Sequence, residues 1–365
     1  MSKHVVIVGA GVIGLFCAVR LAQAGARVTL LEGEKEDFSA HGPAASLAAA
    51  GMLAPVSEAM APEDAHKDVD ALALASFDLW RKQDASVTWA DAVRFDGAAF
   101  IARDEAEASA FVARAAKLGR VVEPLSPGQF RRRTNLEART DHAFFIADEG
   151  VADPGRVLSG LAMAARQYGV QIHFSHDAER IEGNAVHCAN GASFEGDVVL
   201  LAPGPWANEA MLAAAPALKH ITPAKGNMAP VRLDAPLGAN VHGPGFYLAE
   251  RFERDCVLGA TMEPGRFDRR ADKALIATLF AAAERVLPGQ VKANEQAFAW
   301  AGVRPMSPDW APLIGPSGDV LIAAGHSRNG WLLAPITAEI IRAYVYGEAQ
   351  APLRAAFTPD RFGTQ

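Results

Sequence analysis

The sequence predicts an α/β protein in which two domains are interleaved along the chain. Continuous apolar runs, typical of strands covered on both faces of a parallel sheet, occur at residues 4–8, 197–201 and 320–324. Helical and antiparallel patterns lie between these runs, and a length of 365 residues suggests more than one domain. The first domain is therefore predicted to be discontinuous, with the second domain inserted into it.

The domain bounds follow from this arrangement. The first domain is assigned residues 1–85, 146–215 and 305–365, and the second domain is assigned residues 86–145 and 216–304. Neighbouring strands at 247–249 and 256–261 predict an antiparallel sheet in the second domain. Half of the residues are apolar and 21% are charged, as in a globular protein with a large core.

The first domain begins with a βαβ unit. The strand HVVIV ends at Gly9, and helical spacing then runs from Val12 until Gly25, a natural C-terminal cap. A second apolar strand, VTLL, ends at Glu32. Two strands of this kind joined by a helix lie parallel in one sheet.

Other elements are predicted from spacing and capping residues. Asp153 and Pro154 mark the start of a helix, as N-cap and first helical residue. The alanine-rich stretch PAASLAAAGMLAP is predicted to be a loop, either a flexible connector or a segment that must stay small. Helices are predicted at 72–81, 105–117, 154–168, 272–286 and 331–346, and a further strand at 170–174.

Charge and cysteine content exclude several functional classes. The net charge of −7 gives no basic surface for nucleic acid or anionic lipid. Cys17, Cys188 and Cys256 lie far apart without metal-ligand spacing, so neither a disulfide framework nor a metal site is predicted. Cys17 is predicted to be a small buried apolar side chain.

The N-terminal region predicts neither a signal peptide nor a membrane span. The residues MSKH lead directly into a strand, and the following apolar stretch is interrupted by several glycines and by Arg20. We therefore expect a cytoplasmic protein.

The glycines of the first turn predict a dinucleotide site. Gly9 permits the tight strand-to-helix turn, Gly11 lets the backbone approach a pyrophosphate, and Gly14 permits close packing of helix on strand. Glu32 closes the second strand, where an acid accepts hydrogen bonds from ribose hydroxyls and disfavours a 2′-phosphate.

The first residues of the helix complete this prediction. Val12 and Ile13 lie at the helix N-terminus, whose unpaired N–H groups favour a pyrophosphate. The competing interpretation is a glycine-rich turn in an ordinary α/β sheet. The unit alone does not distinguish NAD from FAD.

Several motifs in order carry a family resemblance over almost the whole chain. They are VIVGAGVIG, ASLAAAGMLAP, LAPGPWA, GFYLAE, LGATM, WAGVRPMSPDWAPLIG and GHSRNGWLLAP. With them the chain resembles the D-amino-acid oxidase family of FAD-dependent oxidoreductases, especially its bacterial glycine oxidases of the thiazole-biosynthesis type. The resemblance implies a discontinuous Rossmann-like FAD-binding domain and an α+β substrate domain with an antiparallel sheet.

The resemblance also implies how FAD is held. The attachment is expected to be non-covalent, because no cysteine lies near residues 304–316, where the related sarcosine oxidases carry theirs. Ala178 is implied at the adenine, Gly204 near the cofactor, and Arg328 near the outer face of the flavin. The small-residue loop is implied beside the pyrophosphate and the isoalloxazine ring, through Ser46, Ala50, Gly51 and Met52.

The C-terminal helix is expected to begin at the flavin. A helix N-terminus carries roughly +0.5 of an elementary charge, which favours the negative charge that a flavin gains on reduction. The candidate N–H donors are Asn329, Gly330, Trp331 and Leu332. The competing interpretation is an ordinary capped helix.

The substrate side is also implied by resemblance. Arg304 matches the arginine that binds the substrate carboxylate, for which its planar fork is suited, and its alternative is an interdomain salt bridge. Tyr247 matches a tyrosine that assists the same carboxylate, and Met262 a residue lining the pocket, although both types are also common in cores. Arg328 is a further candidate, and His326 is predicted to be structural because the family transfers hydride without a protein base.

The implied activity is oxidation of glycine or a related amine acid with molecular oxygen. Departures from the family pattern at Ser327, Trp331 and Trp310 leave sarcosine, iminodiacetate and small D-amino acids open. The alternatives are an FAD-dependent amino-acid or 2-hydroxy-acid dehydrogenase that reduces a quinone or partner protein, and an NAD enzyme or redox-inactive binding module. A homo-oligomer is also left open.

Overall fold

The structure is a computed structural model that describes residues 2–39, 42, 44–58, 65–83, 86–252, 255–348 and 353–363. Pro43 of the alanine-rich stretch lies outside the described residues. Within these ranges the α-helices are α1 (Val12–Gln23), α2 (Ala45–Ala48), α3 (Val69–Arg81), α4 (Glu105–Lys117), α5 (Pro127–Thr134), α6 (Pro154–Gln167), α7 (Glu209–Ala214), α8 (Lys273–Val286) and α9 (Gly330–Val345).

The strands form two large and two small sheets. They are β1 (His4–Val8), β2 (Arg27–Leu31), β3 (Met52–Leu53), β4 (Val93–Arg94), β5 (Ala98–Ile101), β6 (Glu123–Pro124), β7 (Ala143–Ile146), β8 (Gly150–Ala152), β9 (Gln171–His173), β10 (Ala178–Glu182), β11 (Ala185–Cys188), β12 (Ser193–Glu195), β13 (Val198–Leu201), β14 (Thr222–Arg232), β15 (Asn240–Gly243), β16 (Phe246–Phe252), β17 (Asp255–Gly259), β18 (Glu263–Pro264), β19 (Lys292–Ala293), β20 (Trp300–Met306), β21 (Leu313–Ser317) and β22 (Val320–Ala324).

The first large sheet has the strand order β21-β22-β13-β1-β2-β9. All neighbours pair in parallel except β21, which runs antiparallel to β22. Val5 lies between Val198 on one neighbour and Val28 on the other, and all three belong to strands that are largely buried. Burial on both faces explains why these strands are largely apolar.

The second large sheet has ten strands and is mostly antiparallel. Its order is β18-β14-β17-β16-β15-β5-β7-β6, and β19 and β20 also pair with β14. The predicted pair at 247–249 and 256–261 corresponds to β16 and β17, which lie side by side. The predicted fold class is therefore confirmed.

The sequence missed several elements of this sheet. The long strand β14 and its partner β20 carry no predicted assignment, because neither alternates between apolar and polar residues. Their burial patterns show why: the middle of β14 is buried on both faces, and β20 is largely buried. The domain bounds stay a prediction; the strands of the first sheet lie at 4–31, 171–201 and 313–324.

The helices α1 and α9 pack against each other. The buried side chains of both helices belong to one cluster that also contains Val5, Ile7 and Leu200 of the sheet. Cys17 is fully buried in it, and burial raises the pKa of its thiol, so the prediction of a small buried side chain is confirmed. In the described part of the chain, no helix is long and apolar enough to cross a membrane.

Candidate active site

The carboxyl ends of the parallel strands meet at one edge of the first sheet. β1 ends before Gly9, β2 before Glu32, β13 before Ala202 and β22 before Gly325. Ligands of open α/β sheets bind in the crevice at this edge. All four of these residues lie in or beside a cavity of about 490 Å³.

The turn after β1 leaves no room for side chains. Gly9 has a φ of +106°, and a Cβ there would come within 2.3 Å of the Ala202 carbonyl oxygen. A Cβ at Gly14 would come within 1.8 Å of the Gly9 carbonyl oxygen. Glycine at both positions thus brings α1 close to β1 and β13.

Gly11 fits a different role. A Cβ at Gly11 would meet only the Ser46 hydroxyl, at 3.3 Å, and Gly11 lines the cavity. Ser46 Oγ accepts a hydrogen bond from the Val12 N–H at 3.0 Å. The segment of small residues was predicted to be a loop, but the structure forms the short helix α2 at Ser46. This helix packs on the same turn that the glycines open.

Two helices begin at this cavity without a side-chain cap. The N-cap of α1 is Gly11, which has no side chain, and Asn329 at the start of α9 makes no capping hydrogen bond within the described residues. A helix N-terminus combines unpaired N–H groups with a positive dipole end, so both positions suit an anionic group. This arrangement fits a cofactor with a pyrophosphate at one end and an electron-accepting ring at the other.

Glu32 lies at the far end of the cavity. Its Oε2 accepts a hydrogen bond from the Ala10 N–H at 2.8 Å, and its Oε1 accepts one from the Glu34 N–H at 3.2 Å. The carboxylate is thereby fixed beside the first turn, where a ribose would meet it.

Most of the predicted cofactor residues line this first cavity. They are Gly9, Gly11, Val12, Ile13, Glu32, Ser46, Ala178, Gly204, Arg328, Gly330 and Trp331. Gly14 lies behind the turn, and Leu332 packs in the core, where its carbonyl oxygen accepts a hydrogen bond from Ser76 Oγ at 2.6 Å. Neither residue lines either cavity, so a role for Leu332 would have to use its backbone N–H.

A second cavity of about 300 Å³ adjoins the first and shares Arg304, Arg328 and Trp331 with it. The remaining predicted site residues lie here, namely Ala50, Gly51, Met52, Tyr247, Met262 and Asn329. The structure therefore brings together the predicted cofactor and substrate residues at the junction of two cavities.

Arg304 lies on β20 and lines both cavities. Gly226 on the neighbouring strand makes room for it, since a Cβ there would come within 2.3 Å of Arg304 Nη1. Nη1 donates to the Thr261 carbonyl oxygen at 3.1 Å, and among the described residues no carboxylate lies within 4.0 Å of the guanidinium. Burial lowers the pKa of Arg304, but an arginine keeps its charge at neutral pH.

Tyr247 lies on β16 opposite Gly259, and a Cβ at Gly259 would come within 2.3 Å of the phenol oxygen. The ring is therefore laid flat across the neighbouring strand at the wall of the second cavity. Burial raises the pKa of Tyr247 to about 12, so the phenol keeps its proton and remains a hydrogen-bond donor at neutral pH.

Met262 and Arg328 complete the wall. Met262 is 38% exposed, and its sulfur lies 4.0 Å from Arg304 Nη1. The Arg328 guanidinium lies 5.3 Å from the centre of the Trp310 ring, and Nη2 donates to the Glu58 carbonyl oxygen at 2.8 Å. Trp331 closes the junction and donates from Nε1 to the Ser46 carbonyl oxygen at 3.0 Å.

His326 lies in the first cavity wall but faces α9. Its Nε2 is 2.9 Å from the Thr337 hydroxyl, which donates to the Leu333 carbonyl oxygen at 2.8 Å. Burial lowers the pKa of His326 to about 3, so the imidazole is neutral over the physiological range. These contacts agree with a structural role, which stays a prediction.

Several residues of the second cavity were not predicted from the sequence, and three of them bear on its chemistry. Glu58 and His242 line it, and Gly226 shapes it around Arg304. Glu58 follows the alanine-rich motif by a few residues, which is the one local signal that pointed to it. His242 and Gly226 come from strands that only the folded sheet brings to this place.

The glycine turn, the two uncapped helices and the adjoining cavities define a dinucleotide-dependent α/β enzyme with a separate place for a small substrate. The chain belongs to the DAO family of FAD-dependent oxidoreductases, whose family model matches residues 4–344. FAD is therefore its cofactor, and the resemblance carried by the sequence motifs is confirmed.

Similar proteins include both long and short relatives. The chain is 33% identical over 382 residues to the bifunctional protein ThiO/ThiG of Synechocystis sp., an alignment covering 100% of this chain and 54% of that protein. It therefore spans about half the length of the bifunctional relatives it matches.

The shorter relatives match over nearly their whole length. The chain is 29% identical over 357 residues to the glycine oxidase of Bacillus licheniformis, covering 94% of this chain and 92% of that protein. The crystal structure of glycine oxidase from Geobacillus kaustophilus superposes with a TM-score of 0.84 at 26% identity and covers 99% of both chains.

Proposed function

We propose that this protein oxidises glycine or a related small amine acid, such as sarcosine, iminodiacetate or a small D-amino acid. The observation that carries the proposal is the Arg304 guanidinium, which lines both cavities without a carboxylate partner among the described residues. A planar guanidinium binds a carboxylate through two parallel hydrogen bonds. A carboxylate bound there lies at the junction with the FAD cavity.

The other residues of the second cavity act on the same molecule. The Tyr247 phenol donates a further hydrogen bond to the carboxylate. Met262 and Arg328 form the cavity wall around the substrate carbon. When bound, FAD accepts a hydride equivalent from the substrate carbon next to the carboxylate. The neutral imidazole of His326 is not needed as a base, because a substrate with an unprotonated amine loses the hydride from its α-carbon while the nitrogen lone pair forms the C=N bond.

The start of α9 assists the electron transfer. Asn329, Gly330 and Trp331 place a helix N-terminus with roughly +0.5 of an elementary charge at the cavity wall. This end of the helix would stabilise negative charge on a flavin bound there. The support for this role is that the helix begins at the cavity without a side-chain cap within the described residues.

The overall reaction consumes oxygen. The oxidised amine is an imine, which water hydrolyses to an oxo acid and ammonia or a primary amine, and oxygen takes up the two electrons and two protons as hydrogen peroxide. The similarity to glycine oxidases supports both the substrate class and this acceptor.

An anaerobic reduction experiment tests the proposal. The purified holoenzyme is mixed without oxygen with glycine, sarcosine, iminodiacetate and D-alanine, and the visible absorption of the flavin is followed. We expect at least one of these to bleach the flavin. If none does, the proposed substrate class is wrong.

The electron acceptor needs a separate measurement. With the best substrate in air, peroxide release should equal substrate consumption. Substrate oxidation that requires an added quinone and yields no peroxide would instead establish a dehydrogenase.

A further inference from the structure

Among the described residues, one carboxylate and two guanidinium groups line the second cavity. Glu58 lines the same cavity as Arg304, yet no ion pair within 4.0 Å joins their side chains among the described residues. The Glu58 side chain is only 17% exposed. The Glu58 carboxylate and the Arg304 guanidinium therefore line one small cavity without forming a direct ion pair.

No described group donates a hydrogen bond to the Glu58 carboxylate. Among the described basic side chains, only His242 comes within 4.0 Å, with Nδ1 at 3.9 Å from Glu58 Oε1, and burial lowers the pKa of that imidazole. Arg328 donates to the backbone carbonyl oxygen of Glu58, not to its carboxylate. A poorly hydrated carboxylate without donors is costly, and a ligand that brings an N–H group removes part of this cost.

The backbone before Glu58 is fixed by a buried carboxyl group. Glu149 is fully buried, and its Oε1 accepts hydrogen bonds from the Val56 N–H at 3.0 Å and the Ser57 N–H at 2.7 Å. Its Oε2 accepts from the Ser57 hydroxyl at 2.5 Å. Because the two preceding residues are held in this way, Glu58 is presented to the cavity from a rigid support.

His242 adds a second unsatisfied group at the same wall. It is 5% exposed and lines the cavity, and its Nε2 has no hydrogen-bond partner within the described residues, with Glu149 Oε2 4.0 Å away. A polar ligand in this cavity could therefore form hydrogen bonds both with His242 Nε2 and with the Glu58 carboxylate.

We propose that Glu58 determines substrate specificity: it accepts a hydrogen bond from the amine of an amino acid whose single carboxylate is bound by Arg304, and its charge repels a second carboxylate. This inference rests on the proposed function and narrows its substrate class. Monocarboxylic substrates such as glycine and sarcosine are favoured, and a dicarboxylic substrate such as iminodiacetate is disfavoured. The guanidinium of Arg328 is held by the Glu58 carbonyl oxygen and lies over the Trp310 ring.

Kinetics of the Glu58→Gln holoenzyme test the proposal. We expect the ratio of kcat/KM for sarcosine to kcat/KM for iminodiacetate to fall by at least about tenfold, because the repulsion of the second carboxylate is lost, whereas the hydrogen bond to the amine is lost for both substrates. The control is Glu179→Gln, which removes the same charge from an exposed position on β10. A ratio within about twofold of wild type in Glu58→Gln, or an equal change in Glu179→Gln, overturns the inference.

The variant Glu58→Asp tests whether an effect of Glu58→Gln comes from the lost charge or from a folding defect. Glu58→Asp keeps the negative charge, but its side chain is shorter by one methylene group. Discrimination against iminodiacetate should therefore persist, while the KM for sarcosine should rise because the hydrogen bond to the amine is weakened. Loss of discrimination in a Glu58→Asp protein with normal FAD content would contradict a role for the charge.

Binding of non-reacting analogues separates this inference from the proposed function. Methoxyacetate and diglycolate have the shapes of sarcosine and iminodiacetate but carry an ether oxygen in place of the amine, and their binding is followed by the change in the oxidised flavin spectrum. We expect Glu58→Gln to bind diglycolate at least about fivefold more tightly and methoxyacetate about equally. This result without flavin reduction by any amine would refute only the proposed function. Unchanged affinities, or no binding of either analogue, would refute the specificity role.

Discussion

The guanidinium of Arg304 lies where a side chain of residue 226 would otherwise be. Gly226 and Gly302 are directly opposite each other on paired strands, and a Cβ at Gly226 would come within 2.3 Å of Nη1 and 2.7 Å of Nη2 of Arg304. The absence of one side chain therefore sets the position of the charged group on which the proposed substrate binding depends.

Gly226→Ala should consequently weaken substrate binding without unfolding the protein. The atoms that the new methyl group meets are at the end of a long side chain, which can move aside at small cost. We expect the KM to rise by about tenfold or more while the melting temperature and FAD content change little, because a misplaced guanidinium loses its paired geometry. Gly128→Ala is the matched control, since its Cβ would make only an ordinary contact at 3.6 Å. A normal KM in Gly226→Ala would show that the guanidinium position is not critical.

Two replacements of Arg304 should distinguish what its charge and its planar geometry each contribute to substrate binding. Arg304→Ala is expected to raise the KM by about 100-fold or more, and Arg304→Lys by a smaller factor, because lysine keeps the charge but lacks the planar fork. FAD content, measured from the flavin absorption per protein, should remain near that of the wild type in both. An unchanged KM in Arg304→Ala would remove the arginine from the substrate site.

His326→Gln should leave the pH profile of the reaction unchanged above about pH 5, because the His326 pKa of about 3 already keeps the imidazole neutral there. The loss of its contact with Thr337 should lower the free energy of unfolding by about 1 kcal/mol and kcat by less than about tenfold. Steady-state rates across the pH range and denaturant unfolding measure both effects. A much larger loss of kcat would indicate a protein base, as a hydroxy-acid dehydrogenase requires.

Glu149→Gln should alter how stability depends on pH. Burial raises the pKa of Glu149 to about 7 from an ordinary value of 4.5, so the folded state holds a proton that the unfolded state has already released. The contribution of this group to stability is therefore fully present below about pH 4.5 and is lost as the pH rises to about 7 and above.

Glutamine does not ionise, so the variant does not lose stability in this way as the pH rises. Relative to the wild type, Glu149→Gln should gain up to about 3 kcal/mol in the free energy of unfolding between about pH 5 and about pH 8, equivalent to a little over two pKa units. Denaturant unfolding at both pH values measures the difference, with Glu179→Gln as the exposed control. A difference between variant and wild type that is independent of pH would mean that Glu149 ionises normally.

The sequence predicted the βαβ unit well because its signals are local. The apolar strands, the helical spacing of α1 and the three glycines each act on neighbours within a few residues, and they are found where they were expected. The same holds for α6, whose Asp153 cap accepts a hydrogen bond from the Arg156 N–H at 2.9 Å. Arg304 and Tyr247 were indicated by motifs, and the structure places both at one cavity.

The long strand β14 shows where sequence patterns fail. It is buried on both faces in the middle of a ten-stranded sheet, so it lacks the alternation that reveals a half-buried strand. Its partner β20 lies about seventy residues further along the chain, and no local signal connects the two. The match between Gly226 and Arg304 exists only once this pairing has formed.

The sequence by itself determined the glycine turn and the class of fold, because steric limits on glycine and the period of apolar residues act within a single element. The role of Arg304 at a carboxylate was implied only by the resemblance of its motif to the family, and it stays a prediction. Only the tertiary structure decided which charges share the second cavity. Glu58, His242 and Glu149 come from separate segments of the chain, and the sheet brings them together. The physical reason is that burial and distance set the interaction energy between charged groups. Both depend on how the folded chain packs.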